Sequence, residues 1–161
     1  MEWRDQGIVL AVRPHGETSA IVEVLTAEQG RHAGLVRGAR SRSMRPILQP
    51  GNQITVNWRA RLSEHLGMFQ IEADDLTAGM VMEDRTALAA LNSACAVAVM
   101  CLPEREAHPR VHQGFQLLLG AFDNPDIWPA LYVRWEAGLL SDLGYGLDMS
   151  ACAVTGVTED L

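Results

Sequence analysis

Hydrophobic positions change their period once along this chain. From Trp3 to Glu72 they come in short runs or in alternation. Trp3 to Val12 alternates weakly and ends in the run Ile8-Val9-Leu10-Ala11-Val12, a strand buried on both faces or curling in a barrel. Arg13-Pro14-His15-Gly16-Glu17 reads as a turn, Ser19 to Leu25 as a second strand, and Ala27-Glu28-Gln29-Gly30 as another turn. Arg31 to Val36 makes a third strand, with Gly34 inside it as a bend or bulge. After the turn signal Gln49-Pro50-Gly51-Asn52, residues Ile54, Val56 and Trp58 alternate with Thr55, Asn57 and Arg59, the clearest period-two segment. Met68 to Glu72 supplies a fifth strand. Five short strands with Gly-rich turns argue for a small antiparallel barrel or sandwich, and a five-stranded OB-type barrel fits the count.

Beyond Asp74-Asp75 the period becomes helical. Val81, Leu88, Leu91, Cys95, Ala98 and Leu102 share one face, and Pro103 closes that helix. A second helix opens at Pro109 and carries Val111, Phe115, Leu118 and Leu119. Asp123-Asn124-Pro125 breaks it. Asp126 is placed to cap a third, with Ile127, Leu131, Trp135, Leu139 and Leu143 as its stripe and Gly144 as its stop. The fold class expected is α+β in two parts: a barrel over residues 1–76 and a helical domain over 77–161.

Charge sharpens this division. The net charge of −7 over 161 residues hides nine Arg against five acidic residues in 1–61, a net +4, and four Arg against fifteen acidic residues in 62–161, a net −11. There is no Lys. A basic front and an acidic back point to a polyanionic partner for the front alone. The densest charge lies in Val36-Arg37-Gly38-Ala39-Arg40-Ser41-Arg42-Ser43-Met44-Arg45-Pro46, which reads as a flexible loop between strands. Guanidinium groups stay charged, fork two donors onto one phosphate and stack on bases. Arg37, Arg40, Arg42 and Arg45 are therefore the first candidates for nucleic-acid contact. Arg59 and Arg61 form a second group near the hairpin of strands four and five, and Arg13 and His15 can line the same groove. Trp58 belongs by alternation with Ile54 and Val56, hence in the core. Four to six such contacts imply a single-strand salt slope of roughly −3 to −4. No helix is offered to a major groove, so sequence readout is not expected. The competing reading is a protein-interaction adaptor whose basic loop only aids solubility.

Little points to catalysis, and no enzyme is expected. His15, His32 and His65 are scattered; His108 and His112 read as surface residues at a helix start, and Glu104 and Glu106 as charges complementing its dipole. No Gly-rich phosphate loop follows a strand, and Ser41 and Ser43 lack a partnered base. Cys95, Cys101 and Cys152 give no disulfide framework and no metal set. No signal peptide opens the chain, and the longest apolar stretch, Ala94 to Leu102, is too short to span a bilayer. A cytoplasmic, nucleoid-associated protein without cofactor or membrane contact is expected.

In their order and spacing these segments resemble the RecO family of bacterial DNA repair proteins. The points of resemblance are Trp3, Gly7-Ile8-Val9-Leu10, Gly16-Glu17, Thr26 and Gly30-Arg31, then Val36-Arg37-Gly38-Ala39-Arg40-Ser41, Leu48-Gln49-Pro50-Gly51 and Trp58-Arg59-Ala60-Arg61-Leu62. Further on come Leu143-Gly144-Tyr145-Gly146-Leu147-Asp148, Cys152 and Gly156. The resemblance implies an N-terminal OB-fold and a mostly helical domain without an active site. It implies binding of single- and double-stranded DNA, strand annealing and, with RecR, loading of RecA onto SSB-coated DNA. It also implies capture of the SSB C-terminal tail in an apolar groove flanked by basic residues, with Arg85, Arg105, Arg110 and Arg134 available and Arg110 and Arg134 preferred. Family members run longer, so Leu161 is expected to be a truncation within the helical domain. Some members carry zinc on CxxC pairs near the position of Cys152, but here Thr155 stands three residues on. Cys152 is taken as a plain thiol.

Overall fold

The computed structural model describes residues 1–158; Leu161, the expected truncation point, lies outside the described residues. Five strands, β1 (Glu2–His15), β2 (Ser19–Thr26), β3 (Gly30–Val36), β4 (Gln53–Arg59) and β5 (Met68–Asp75), precede four helices, α1 (Thr77–Met80), α2 (Arg85–Cys101), α3 (Pro109–Leu119) and α4 (Trp128–Asp142). The strands close in the order β1-β2-β3-β5-β4. The class is α+β, with the OB-type barrel that the strand count suggested.

The barrel closes because β1 serves two neighbours. Its first half pairs with β4 from Glu2 opposite Arg59 to Ile8 opposite Gln53. Its second half pairs with β2 from Gly7 opposite Thr26 to His15 opposite Ser19. Within the β1–β2 ladder the register slips at Val9/Ala11, and an extra residue there bends a strand and deepens its twist. Strand alternation sorts the apolar run. Val9 points into the barrel with Val22, Val24, Ile54, Val56 and Trp58, while Ile8 and Leu10 point out into the helical core.

Several expectations need correcting. Arg13 to His15 continue β1, and the turn is confined to residues 16–18, where Gly16 takes φ of 64°. Gly34 makes no bulge: β2 and β3 pair without a break from Ala20–Val36 to Thr26–Gly30. Its missing side chain serves packing instead, since a Cβ there would come within 2.6 Å of the Phe69 ring. The Arg loop is not loose. Arg40 N–H donates to Thr18 O, Ser41 N–H to Gly38 O, Arg45 N–H to Ser41 O and Leu48 N–H to Met44 O. Ala39 and Leu48 are buried in the barrel core. Asn52, itself buried, donates from its amide to the carbonyls of Pro46 and Ile47 and accepts from Ala78 N–H, tying the loop's exit to α1.

Among the helices, Asp84 caps α2 by accepting from Thr86 and Ala87 N–H. Val81 is buried in the turn before that helix rather than within it, and Leu88 is only half-buried; the fully buried stripe runs Ala87, Leu91, Ala94, Cys95, Ala98. Asp126 does not cap α4, which begins at Trp128 without a side-chain cap, and Ile127 is exposed. Asn124 organises the break instead, its side chain accepting from Asp126 N–H and its carbonyl from Trp128 N–H. Gly144 ends the helix at φ of 88°. Leu91, Phe115, Leu118 and Trp135 form the helical core, joined by Ile8, Leu10 and Leu25 from the strands. Among the described residues no helix is long and apolar enough to cross a membrane.

Candidate nucleic-acid interface

Not one Asp or Glu occurs between Glu28 and Glu64, a stretch that holds Arg31, Arg37, Arg40, Arg42, Arg45, Arg59 and Arg61. The fold spreads these seven side chains unevenly. Arg31 is spent on structure: it meets Glu23 at 2.5 Å and Glu104 at 3.6 Å, and its Nε donates to Leu102 O. Arg13 stays mostly exposed. Strand alternation turns it from the side shared by Val12 and Pro14, and it pairs with the buried Glu23 at 3.3 Å. Arg13 therefore does not join the Arg loop.

Arg37, Arg40, Arg42 and Arg45 are all exposed, and none forms an ion pair among the described residues. The turns that pin the loop hold them on a fixed base. Arg40 also donates a guanidinium N–H to Glu17 O, which joins the loop to the β1–β2 turn. The second group lies beside β3. Leu35 N–H donates to Gly67 O, so the β4–β5 loop carrying Arg61 abuts the strand two residues before Arg37. Arg61 is exposed and makes no ion pair among the described residues. Arg59 meets Glu2 at 2.9 Å with both side chains mostly exposed, a contact that salt screens and that is worth little. Trp58 is core: 2% exposed, stacked on Trp3 and donating from Nε1 to Leu66 O.

Arg105, available by sequence for an acidic tail, is bonded within the fold instead. It sits at φ of 61° and donates from its guanidinium to the carbonyls of Ser63, Glu64 and His65. Its N–H donates to Arg31 O at 2.7 Å. It fastens the α2–α3 connection to β3 and the β4–β5 loop, and so leaves the set available for a tail. Glu104 and Glu106 precede the first turn of α3 rather than standing in it. Glu104 faces Arg31, and the backbone of Glu106 passes so close to Gly30 that any side chain there would collide with it.

A groove of about 540 Å³ runs between α3 and α4, and its lining includes Arg110, Val111, Leu117, Arg134, Trp135 and Asp142. Arg110 and Arg134 thus share one cleft, while Arg85 does not line it. Gly114 lets the helices approach, since a Cβ there would lie 3.2 Å from the Trp135 ring. Glycine within a helix costs about 1 kcal/mol against alanine, and Gly114 and Gly138 were the available signals of this cleft. His108 and His112 are not surface residues but 5% and 4% exposed. His108 Nδ1 lies 2.5 Å from Asp142 Oδ2, tying the start of α3 to the end of α4. Burial pushes the His112 imidazolium below its ordinary pKa, against the pull of Asp5. His32, wedged among Trp3, Trp58 and Phe69, is lowered for the same reason. Among the described residues no group of three His, Cys, Asp or Glu is arranged to hold a metal ion.

Comparison with known proteins bears on what this arrangement serves. The family described as Recombination protein O N terminal matches residues 1–73, and that described as Recombination protein O C terminal matches residues 82–161. The DNA repair protein RecO of Ruegeria sp. (strain TM1040) is 54% identical over 161 residues, all of this chain and 67% of that protein. That of Roseobacter denitrificans is 52% identical with the same coverage. That of Phenylobacterium zucineum is 52% identical over the whole chain and 66% of its own length. The chain spans about two thirds of the length of these relatives. It belongs to the RecO family of DNA repair proteins.

Proposed function

We propose that the chain is a recombination mediator that works by binding rather than bond-making, with the barrel of residues 1–76 as its nucleic-acid-binding part. The observation that carries this reading is the acid-free stretch from 29 to 63, which leaves five Arg side chains on the Arg loop and the β4–β5 loop without carboxylate partners among the described residues. Arg37, Arg40, Arg42 and Arg45 would neutralise phosphates first, with Arg61 and Arg59 beside them; each contact releases counterions, the driving term for backbone binding. Both single- and double-stranded DNA offer that backbone, and one surface meeting two strands can favour their annealing. The groove between α3 and α4, apolar at Trp135 and Leu117 and basic at Arg110 and Arg134, suits the acidic C-terminal tail of SSB. RecR and, indirectly, RecA complete the partners that a RecO family member would serve. The helical part, with four Arg against eleven acidic residues over 77–161, a net −7, speaks against DNA contact there.

Anisotropy of a labelled single-stranded oligonucleotide, titrated at several salt concentrations, tests the reading. The expected slope of log K against log salt is roughly −3 to −4 for four to six phosphate contacts. Changing Arg37, Arg40, Arg42 and Arg45 to Gln should make it shallower by about 3. No binding at low salt would favour the adaptor instead.

A further inference from the structure

The Arg loop also walls a cavity. A groove of about 380 Å³ lies between the loop and the second half of β1. Ala20, Ala39 and Leu48 line it from the buried side, Pro14 stands opposite the loop, and the exposed Arg40 and Arg45 lie at its rim. Its one other polar side chain is Gln49, whose amide donates to Arg45 O and so steadies the rim.

We propose that this groove holds one unstacked base of a single-stranded nucleic acid, with Arg40 and Arg45 on the phosphates that flank it. The proposal rests on the DNA-binding reading and adds to it the part of the ligand that enters the fold. Gripping phosphates needs only charge on a surface; it needs no cavity. This groove has an apolar lining, two guanidinium groups and no carboxylate. A bare phosphate would leave the lining empty, and a metal cation would meet two positive charges. A base brings flat apolar faces, polar edges for Gln49 and a phosphate on either side, and Arg planes stack readily on bases. The volume falls at the small end of ligand clefts, about 300–1,000 Å³. A paired and stacked duplex cannot fill it. The groove thus favours single strands over duplex without reading sequence, because every base offers a face.

The test uses the full chain, a labelled thymidine oligonucleotide and an abasic one of the same length and charge. Wild type should bind the abasic strand about tenfold more weakly with the salt slope unchanged, since the phosphates are the same. Two double variants with equal loss of charge then locate the base. Arg40→Gln with Arg45→Gln should bring the ratio of the two affinities close to one. Arg37→Gln with Arg42→Gln should weaken both strands and keep the ratio. Circular dichroism checks that both stay folded. A wild-type ratio of one overturns the proposal while the salt-dependent grip stands, and is also what a groove made for an acidic peptide would give. A ratio kept, or lost, equally in both variants places the base elsewhere and overturns it too. Binding to neither strand would remove the DNA reading itself.

Discussion

At the scale of single residues, histidine is where acid should act on this molecule. Folded His32 and His112 hold a proton less readily than an exposed imidazole, because burial penalises the charge. Below about pH 6.5, their ordinary value, the unfolded chain takes up protons that the folded one refuses. Stability from this source is complete above that pH and is lost as pH falls. The midpoint of urea unfolding should therefore drop between pH 7 and 5.5, and His32→Phe, which keeps an aromatic ring beside Trp3 and Trp58, should lessen the drop. An unchanged pH dependence in the variant would count against this account. Residue placement was legible where period alone decides it: Trp58 falls on the inward side of β4. It was not legible where a partner far along the chain decides it. His108 is buried because Asp142, thirty-four residues on, comes to meet it, and Arg13 is turned to Glu23 by the strand beside it.

Elements were easier to read than their functions. Strand and helix periods, Pro109 at the start of α3 and Gly144 after α4 all declare themselves in the sequence. Gly34 and Gly114 do not: each looks like a weak point in its element, and each makes room for one ring, Phe69 or Trp135. Asp126 has the chemistry of a cap, yet the chain turns at Asn124 and the helix starts later. The cleft between α3 and α4 follows from these choices, and it can be tested at this scale. A peptide ending in acidic and apolar residues, as in the SSB tail, should bind more weakly by up to about fivefold when Arg110→Gln or Arg134→Gln is made, the size expected of exposed ion pairs. Isothermal titration of each variant measures it; an unaltered affinity in both would place the tail elsewhere.

For the whole molecule, the question is whether barrel and helices are separate stable bodies. The change of period near residue 75 made a boundary legible, but the way the two parts share a core was not. Ile8, Leu10 and Leu25 lie among Leu91, Phe115 and Trp135 because strand alternation turns them to the outer face of the barrel, where the helices pack. A strand buried on both faces announces itself in sequence; what covers the outer face does not. The two parts should unfold together. The indole N–H resonances of Trp58 in the barrel and Trp135 among the helices, each hydrogen-bonded in the folded chain, should be lost at one urea midpoint. Leu10→Ala, by opening a cavity where the parts meet, should lower both signals in step at a cost of about 2–5 kcal/mol. Two separate midpoints would show independent bodies.

The turns that pin the Arg loop have a consequence for the entropy of gripping a strand. A slack loop ordered by its ligand gives up roughly 1–2 kcal/mol for each residue it freezes. Here Ala39 and Leu48 are already buried and the backbone already bonded, so only the guanidinium arms have freedom left to lose. If the loop grips DNA as proposed, its contacts would form and break one phosphate at a time as counterions come and go. A strand held in this way would pass to another protein without waiting for the loop to unfold.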